Sequence, residues 1–570
     1  MTSRRNVLVG PPFEENAELV ADSNKEKDDL NTGAPAGLSA VLDEAHAGDI
    51  RGALGSIRQD DLAPRRSWKA RLVTLAAIMG PGLIVMVGDN DAGGVSTYAQ
   101  AGQNYGTSLL WTLLLLIPVL IVNQEMVVRL GAVTGVGHGR LIFERFGKYW
   151  GAFSVGDLFI LNFLTIVTEF IGISLAGSFF GVSPYLSVPL AAGLLIGVTV
   201  TGSFERWERF MFAFLAANVL VIPIAVLSHP HVGQTLHDAA VPGIKGGFSS
   251  AAVLLIIAIV GTTVAPWQLF FQQSNIIDKR ITPRWMGYER VDTVIGAFVV
   301  IIGAAALMIA PALAFAGGPQ AGQFTDAGAV ARGLAHHFGQ LEGTLFAIVL
   351  LDASIIGASA VTLATSYAFG DVFGLHHSLH RPWREAKKFY ASFAALVVLA
   401  AAIVLIPQAP LGLITTAVQA LAGVLLPSAT VFLLLLCNDH DVLGPWVNPP
   451  WLNVLASIIV AILLMLSGIL VVTTVFPAID VGRLVEFLGA ALALALAMMG
   501  GVALRGRQAA RPLPEVSVNR DTWRMPPLAL LGRPPWSRGR MIGMWALRGY
   551  LVLAVLLLVV RAVQIATAHP

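Results

Sequence analysis

Asp89 and Asp91 stand two residues apart in VGDNDAGGVSTYAQAG (87–102), directly after the apolar run LVTLAAIMGPGLIVMV that ends at Val87. A charged side chain near a bilayer centre costs at least ~2.5–3.5 kcal/mol on insertion scales. Gly93 and Gly94 add a second penalty, because they weaken a helix where no water can take over its hydrogen bonds. Both are tolerated in one place when unwound backbone lends its carbonyl oxygens to a cation and an acid supplies the balancing charge. A second interruption lies in GTTVAPWQLFFQQS (261–274). Proline inside a span removes a backbone hydrogen bond and clashes with the carbonyl four residues earlier. Pro266, preceded by Gly261, Thr262 and Thr263, therefore opens a short non-helical stretch.

The elements that must position these residues are membrane helices. The 570 residues are 55% hydrophobic and 13% charged, with a mean hydropathy of +0.72, which excludes an ordinary soluble globular protein. A net charge of +2 provides no basic field for nucleic acid. The single cysteine, Cys437, excludes an intrachain disulfide and a cysteine-rich metal site. Apolar runs long enough to span recur near 72–101, 108–128, 153–175, 186–203, 210–227, 251–274, 294–316, 345–369, 389–406, 411–436, 452–472, 485–504 and 541–560, about thirteen helices. The chain is thus an all-α, polytopic membrane protein. TGSFERWERF (201–210) reads as a tight turn between the fourth and fifth helices.

The basic residues orient the bundle. Arg65, Arg66, Lys69 and Arg71 precede the first helix; Arg129, Arg140, Arg145 and Lys148 follow the second. Lys279, Arg280, Arg284 and Arg290 follow the sixth, and Arg381, Arg384, Lys387 and Lys388 the eighth. All fall on one side of a cell membrane if the amino terminus is cytoplasmic. The organisation expected is a disordered cytoplasmic tail over 1–70, a transporter core over 71–440, two additional helices over 441–504, an Arg/Pro-rich cytoplasmic linker over 505–540 and a carboxy-terminal helix over 541–570. Loop histidines (His229, His231 and His237; His376, His377 and His380) read as solvated, and the partner of the intramembrane acid Asp352 is not legible.

The interrupted first and sixth helices are five helices apart, an odd number, so two five-helix halves would have opposite topology. Paired broken helices at matching positions point to an inverted-repeat transporter with a site at the midplane. Glycine-rich helices also pack closely on neighbours, but two breaks at matching positions, one with acids, favour a cation site.

GPGLIVMVGDNDAGG (80–94) resembles the first-helix signature of the NRAMP divalent-metal transporters, and GTTVAPWQLFFQQS their sixth-helix signature. VQALAGVLLP (418–427), RLGAVTG (129–135) and TEFIG (168–172) are similar to further family stretches. The resemblance implies a LeuT-like inverted repeat of helices 1–5 and 6–10 and puts the family aspartate on Asp91. It also puts the family's metal-binding methionine on Ala265, its first-helix asparagine on Gly94, and its two relay histidines on Trp267 and Gln272. The acid expected three residues before Glu169 is Ile166. This combination is similar to the NRAMP-related magnesium-transporter branch.

An all-oxygen site suits Mg²⁺ or Mn²⁺ once the sulfur ligand is gone, and Mg²⁺ keeps several of its waters. The resemblance therefore implies Asp91 as carboxylate ligand, the Thr262 carbonyl as backbone ligand and Gln419 as a ligand directly or through water. Gly94, Ala265, Pro266 and Trp267 would shape the pocket, with Asp89 and Glu169 as secondary candidates. The expected activity is alternating-access transport of a partly hydrated divalent cation, not coupled to protons, with no catalysis, no resident cofactor and no nucleic-acid partner. The oligomeric state is not legible. A proton-coupled Mn²⁺/Fe²⁺ importer is the nearest alternative, and a cation-coupled carrier of a small solute on the same scaffold is another.

Overall fold

A backbone crossing hydrocarbon must satisfy its own polar groups, so the apolar runs form helices. The computed structural model describes residues 44–507 except 62, 408–409 and 477–478, and, beyond these, 520, 523–532 and parts of 541–556. The expected tail up to residue 43, most of the Arg/Pro-rich linker and much of the last helix lie outside the described residues. A short antiparallel hairpin, β1 (Ile50–Gly52) and β2 (Gly55–Ile57), comes first. The helices that follow are α1 (Trp68–Ile78), α2 (Pro81–Val87), α3 (Ala92–Tyr105), α4 (Leu110–Thr134), α5 (His138–Phe146), α6 (Lys148–Phe179) and α7 (Pro184–Val200). Next are α8 (Phe204–Ala217), α9 (Val221–Leu227), α10 (Val232–Ala240), α11 (Ser250–Thr263), α12 (Pro266–Asp278) and α13 (Met286–Ala314). The series ends with α14 (Ala327–His337), α15 (Gln340–Phe373), α16 (Lys387–Val404), α17 (Leu411–Cys437), α18 (His440–Leu443), α19 (Pro450–Val475) and α20 (Val481–Arg507).

Among the described residues nine helices are long and apolar enough to cross a membrane, or ten if α1 and α2, bent by 56° at Met79–Gly80, count as one span. The difference from thirteen falls on four segments. The first expected helix is divided into α1, α2 and α3; α7 is a shorter apolar helix; α20 is helical but not among the nine; and the last lies largely outside the described residues. The tight turn expected over 201–210 is only three residues long. Ser203 accepts from the Arg206 N–H (3.4 Å) and caps α8 at Phe204, so the fifth span begins earlier than its apolar run.

With α2–α3 as first span, α4 second, α6 third, α7 fourth, α8–α9 fifth, α11–α12 sixth, α13 seventh, α15 eighth, α16 ninth and α17 tenth, the packing repeats with a period of five. The seventh span packs along both halves of the first, and the second along both halves of the sixth. The third packs on the tenth and the eighth on the fifth; the third and eighth pack on each other, as do the fourth and ninth. A duplicated five-helix unit produces these matched pairs.

Residues 44–57, expected within the disordered tail, are folded against the bundle. Ile50 and Ile57 are buried with Ile78, Ile276, Ile281 and Trp285. Arg280 donates to the Ala45 carbonyl (3.0 and 2.8 Å) and to that of Asp49 (3.1 Å), and the Ala53 N–H donates to Glu208 Oε2 (2.5 Å). These bonds, with the two isoleucines, offset the ordering entropy that a polar segment cannot otherwise recover. Glu208 also holds Lys279 (2.6 Å), both side chains being fully buried, and Lys279 donates to the Met79 carbonyl (2.7 Å). Asp292 on α13 accepts from the N–H groups of Gly80, Gly82 and Leu83 (3.0, 2.8 and 3.2 Å), capping α2 from another helix. Gly80 has φ +150°, and a side chain there would meet Glu208 at 2.1 Å, so this corner needs glycine.

Two of the loop histidines are not solvated. His377 is enclosed and pairs with Asp371 (3.0 Å). Burial disfavours its cation, but the Asp371 charge and hydrogen bond outweigh that and raise its pKa to about 9. His380 Nε2 lies 3.0 Å from the Asp278 carbonyl. Asp352 has a partner, the Asn218 amide (3.4 Å).

Removing one member of a buried ion pair leaves an uncompensated charge and costs about 3–5 kcal/mol, whereas removing both is far milder. Lys279→Met should therefore lower the unfolding temperature of the detergent-solubilised protein steeply. The double variant Glu208→Gln/Lys279→Met should recover most of the loss in a thermal-unfolding measurement.

Candidate metal centre

The two breaks expose backbone for different reasons. α2 ends at Val87, with the Gly88 N–H closing on the Ile84 carbonyl (2.9 Å), and α3 starts at Ala92 with Asp91 as its N-cap. Asp91 accepts from the Gly94 N–H (2.7 Å), the ordinary work of a capping aspartate. In the sixth span α11 ends at Thr263 and α12 starts at Pro266, with Val264 and Ala265 between them. The helical partner of the Thr262 carbonyl would be the N–H of residue 266, and proline has none. α2 and α11 both turn their carbonyl ends toward these breaks, where helix dipoles favour a positive charge.

Asp91, Glu169, Gln419 and Thr262 are brought together around the glycines of α3. A Cβ on Gly93 would lie 1.7 Å from Gln419 Nε2 and 3.1 Å from Asp91 Oδ1, so the tenth-span amide rests on the bare Gly93 backbone beside the carboxylate. A Cβ on Gly94 would lie 3.3 Å from Thr262 Oγ1. Glu169 Oε2 accepts from the Ala92 N–H (3.0 Å), and the Glu169 and Asp91 side chains both pack on Gly357 of the eighth span. Two carboxyl groups this close cannot both carry charge without a proton or a cation to offset it. Gln419 Nε2, Thr262 Oγ1 and Glu169 Oε1 are buried without a hydrogen-bond partner among the described residues. Unpaired buried polar atoms are costly, and an oxygen-coordinated cation would use this set once the Gln419 amide turns its oxygen inward.

The other sequence candidates sit close by in different ways. Trp267 is buried, stacks at a tilt on Phe271 (5.8 Å), and its ring edge would meet a Cβ on Gly88 at 3.3 Å, so it fills the space between the two breaks. Ala265 is buried in the sixth-span break as the N-cap of α12. Asp89 is fully buried, and neither carboxylate oxygen has a hydrogen-bond partner among the described residues. Gln272 donates to Thr293 Oγ1 (2.9 Å). Sequence reasoning missed the Tyr98–Thr263 hydroxyl contact (2.8 Å), which ties α3 to the end of α11. Among the described residues no three His, Cys, Asp or Glu side chains converge to hold a metal. A cation here would depend on neutral oxygens besides Asp91 and Glu169.

A polytopic helical bundle with paired five-span packing and two interrupted spans is built as an inverted repeat. The family described as natural resistance-associated macrophage protein-like, Nramp, matches residues 82–473, and the chain belongs to it: a metal-ion transporter family, not an enzyme family. The chain is 26% identical over 432 residues to the divalent metal cation transporter MntH of Aeromonas hydrophila, covering 72% of this chain and 98% of that protein. It is 25% identical over 425 residues to MntH of Bacillus subtilis, covering 70% and 93%. The crystal structure of the Eremococcus coleocola manganese transporter in complex with an aromatic bis-isothiourea substituted compound shares the fold, with a TM-score of 0.56 and 19% identity over 77% of this chain and 97% of that one.

A side chain at Gly93 would have to push the Gln419 amide out of the Cβ position it occupies. Gly93→Ala should lower the unfolding temperature, and adding Gln419→Ala should restore much of it. Additive losses in the double variant would show that the two positions do not touch.

Proposed function

We propose that this chain carries divalent metal cations, Mg²⁺ or Mn²⁺, across the cell membrane by alternating access, without moving protons. The observation that carries the reading is the meeting of Asp91, Glu169 and Gln419 with Thr262, whose carbonyl Pro266 deprives of its helical donor. Asp91 would supply the charged ligand, the Thr262 carbonyl and Gln419 the neutral oxygens, and waters the remaining positions. Ala265 stands where the family resemblance expects a thioether, which leaves a hard, oxygen-only set suited to Mg²⁺ and Mn²⁺. The MntH relatives support divalent metal as cargo, since that is what their names state.

The absence of proton coupling is read from the residues that stand where the family resemblance expects titratable groups. Trp267, Gln272 and Ile166 cannot hold a mobile proton, and all three are buried. An amino-terminal end in the cytoplasm places the basic loops inside the cell. An inside-negative potential then contributes ~2.3 kcal/mol per charge per 100 mV, which drives a divalent ion inward without a second gradient.

Asp91→Asn keeps the cap to Gly94, since asparagine caps as well as aspartate, but removes the charge. Metal uptake by proteoliposomes should fall at least tenfold with little change in unfolding temperature; wild-type flux in this variant would remove Asp91 from the site.

Ala265→Met adds a polarisable sulfur and takes up volume that a water would need. Flux should shift from Mg²⁺ toward softer metals in a competition assay. An unchanged ranking would mean that position 265 does not face the ion.

With an imposed inside-negative potential, Mg²⁺ or Mn²⁺ should enter proteoliposomes without acidifying the lumen. Metal-dependent acidification that disappears in Glu169→Gln would establish proton coupling instead.

A further inference from the structure

The basic residues between the eighth and ninth spans play no part in the metal centre, and they gather around one hollow. A surface cavity of about 330 Å³ lies between the end of α15 and the start of α16, with His376, Arg384, Lys387 and Lys388 in its lining. Arg384, Lys387 and Lys388 are exposed and have no ion-pair or hydrogen-bond partner among the described residues. The acid in the lining, Glu385, is taken up by Arg381 (3.2 Å). Several basic residues of other loops on this face already have acids: Arg129 has Glu125, Arg140 has Glu144, Arg145 has Asp439 and Asp441, and Lys279 has Glu208. The positive-inside rule accounts for basic residues on this side. It does not account for three unpaired ones around a single cavity, where their charges repel.

The walls of the cavity are fixed. Ser378 Oγ and the Leu379 N–H (2.9 Å) donate to buried Asp278 at the end of α12, and Tyr390 of α16 donates to the Arg381 carbonyl (2.6 Å). A preorganised wall loses little freedom when a ligand arrives. α16 starts at Lys387 with no side-chain cap and no acid in its first turn, so its amino end adds to the positive potential. The loop joins two spans and therefore lies where hydrocarbon gives way to water. Phe373, which ends α15, and Trp383, next to Arg384, leave apolar rings exposed beside these charges (58% and 38%). A soluble phosphate would use only the cations; an anion that carries acyl chains would use the rings as well.

We propose that this cavity binds the phosphate headgroup of an anionic phospholipid from the leaflet at the basic-loop end of the bundle. Arg384 offers phosphate oxygens a forked pair of donors, and Lys387 and Lys388 supply compact ammonium charges. Basic pockets between spans are suited to such headgroups.

Fluorescent phosphatidylglycerol titrated into the purified, detergent-solubilised full-length protein tests this, with phosphatidylcholine and inorganic phosphate as separate competitors. Wild type should bind it saturably, and phosphatidylcholine should compete at least tenfold less well than unlabelled phosphatidylglycerol. Arg384→Gln/Lys387→Gln/Lys388→Gln should weaken binding at least tenfold, with an unfolding temperature in lipid-free detergent close to that of wild type. Arg66→Gln/Lys69→Gln/Lys148→Gln removes as many exposed charges from the same face and should bind like wild type. Equal losses in the two triple variants, or no saturable binding to wild type, would overturn the site by reducing it to general surface charge. Inorganic phosphate that displaces the lipid at comparable concentration would also overturn it, because the occupant would then be a soluble phosphate.

Discussion

Residue 266 has no N–H to give, and much of the centre follows from that. In water the Thr262 carbonyl would hydrogen-bond to solvent; inside a bilayer it must find another partner or remain a cost of a few kcal/mol. The same proline starts a new helix at the position it favours most, so α12 begins afresh at Pro266 while α11 and α12 together remain one span. Trp267 then falls against Gly88, and Gly261 is free to meet the tenth span so closely that a Cβ there would be 2.2 Å from the Gly423 nitrogen. The first span reaches its break by other means. Its glycines let Gln419 and Thr262 approach the backbone, and Asp91 both starts α3 and contributes the charge. One break offers acceptors and the other an anion. Together they would suit the cation proposed above, where either alone would be only a kinked helix.

The second constraint is the charge buried beneath that centre. α2 is only seven residues long, all of them buried, and polar contacts hold its amino-terminal end in addition to packing. Asp292 binds its amino-terminal N–H groups, while Lys279 holds the Met79 carbonyl just before it. These contacts join the first, fifth, sixth and seventh spans, drawn from both five-helix halves. Any rocking of one half against the other has to exchange them for something else, because a bare Lys279 or Glu208 in an apolar interior is prohibitively expensive.

How much of this the sequence reveals depends on the range of the interaction. Spans are legible because apolar length is a local property, and both breaks are legible because glycine and proline act on their own backbone. Asp91 is marked by its neighbours Gly93 and Gly94. The company it keeps is much less legible: Glu169, bonded to the next residue Ala92, lies 77 residues from Ala92 on another helix, and nothing near it in the chain announces the contact. The same holds for the Glu208–Lys279 pair, in which each member looks like an ordinary loop or helix-end charge. The loop histidines are illegible for a related reason: their place in the chain suggests solvent, yet His377 has Asp371 beside it. The hairpin at 50–57 was hidden by a polar composition typical of a tail, because its stability lies in Arg280 and Glu208 rather than in itself.

That hairpin carries a consequence for how the protein is made. The segment leaves the ribosome before any membrane helix, yet Ala53 binds a carboxylate 155 residues further on and Ala45 an arginine 235 residues further on. At ~5–20 residues per second of synthesis, it waits on the order of ten to fifty seconds before its partners exist. Its docking therefore waits until about half of the chain has been made. It reports that the fifth and sixth spans have been inserted the right way round, because a misoriented sixth span would carry Arg280 to the far side of the membrane, out of the hairpin's reach.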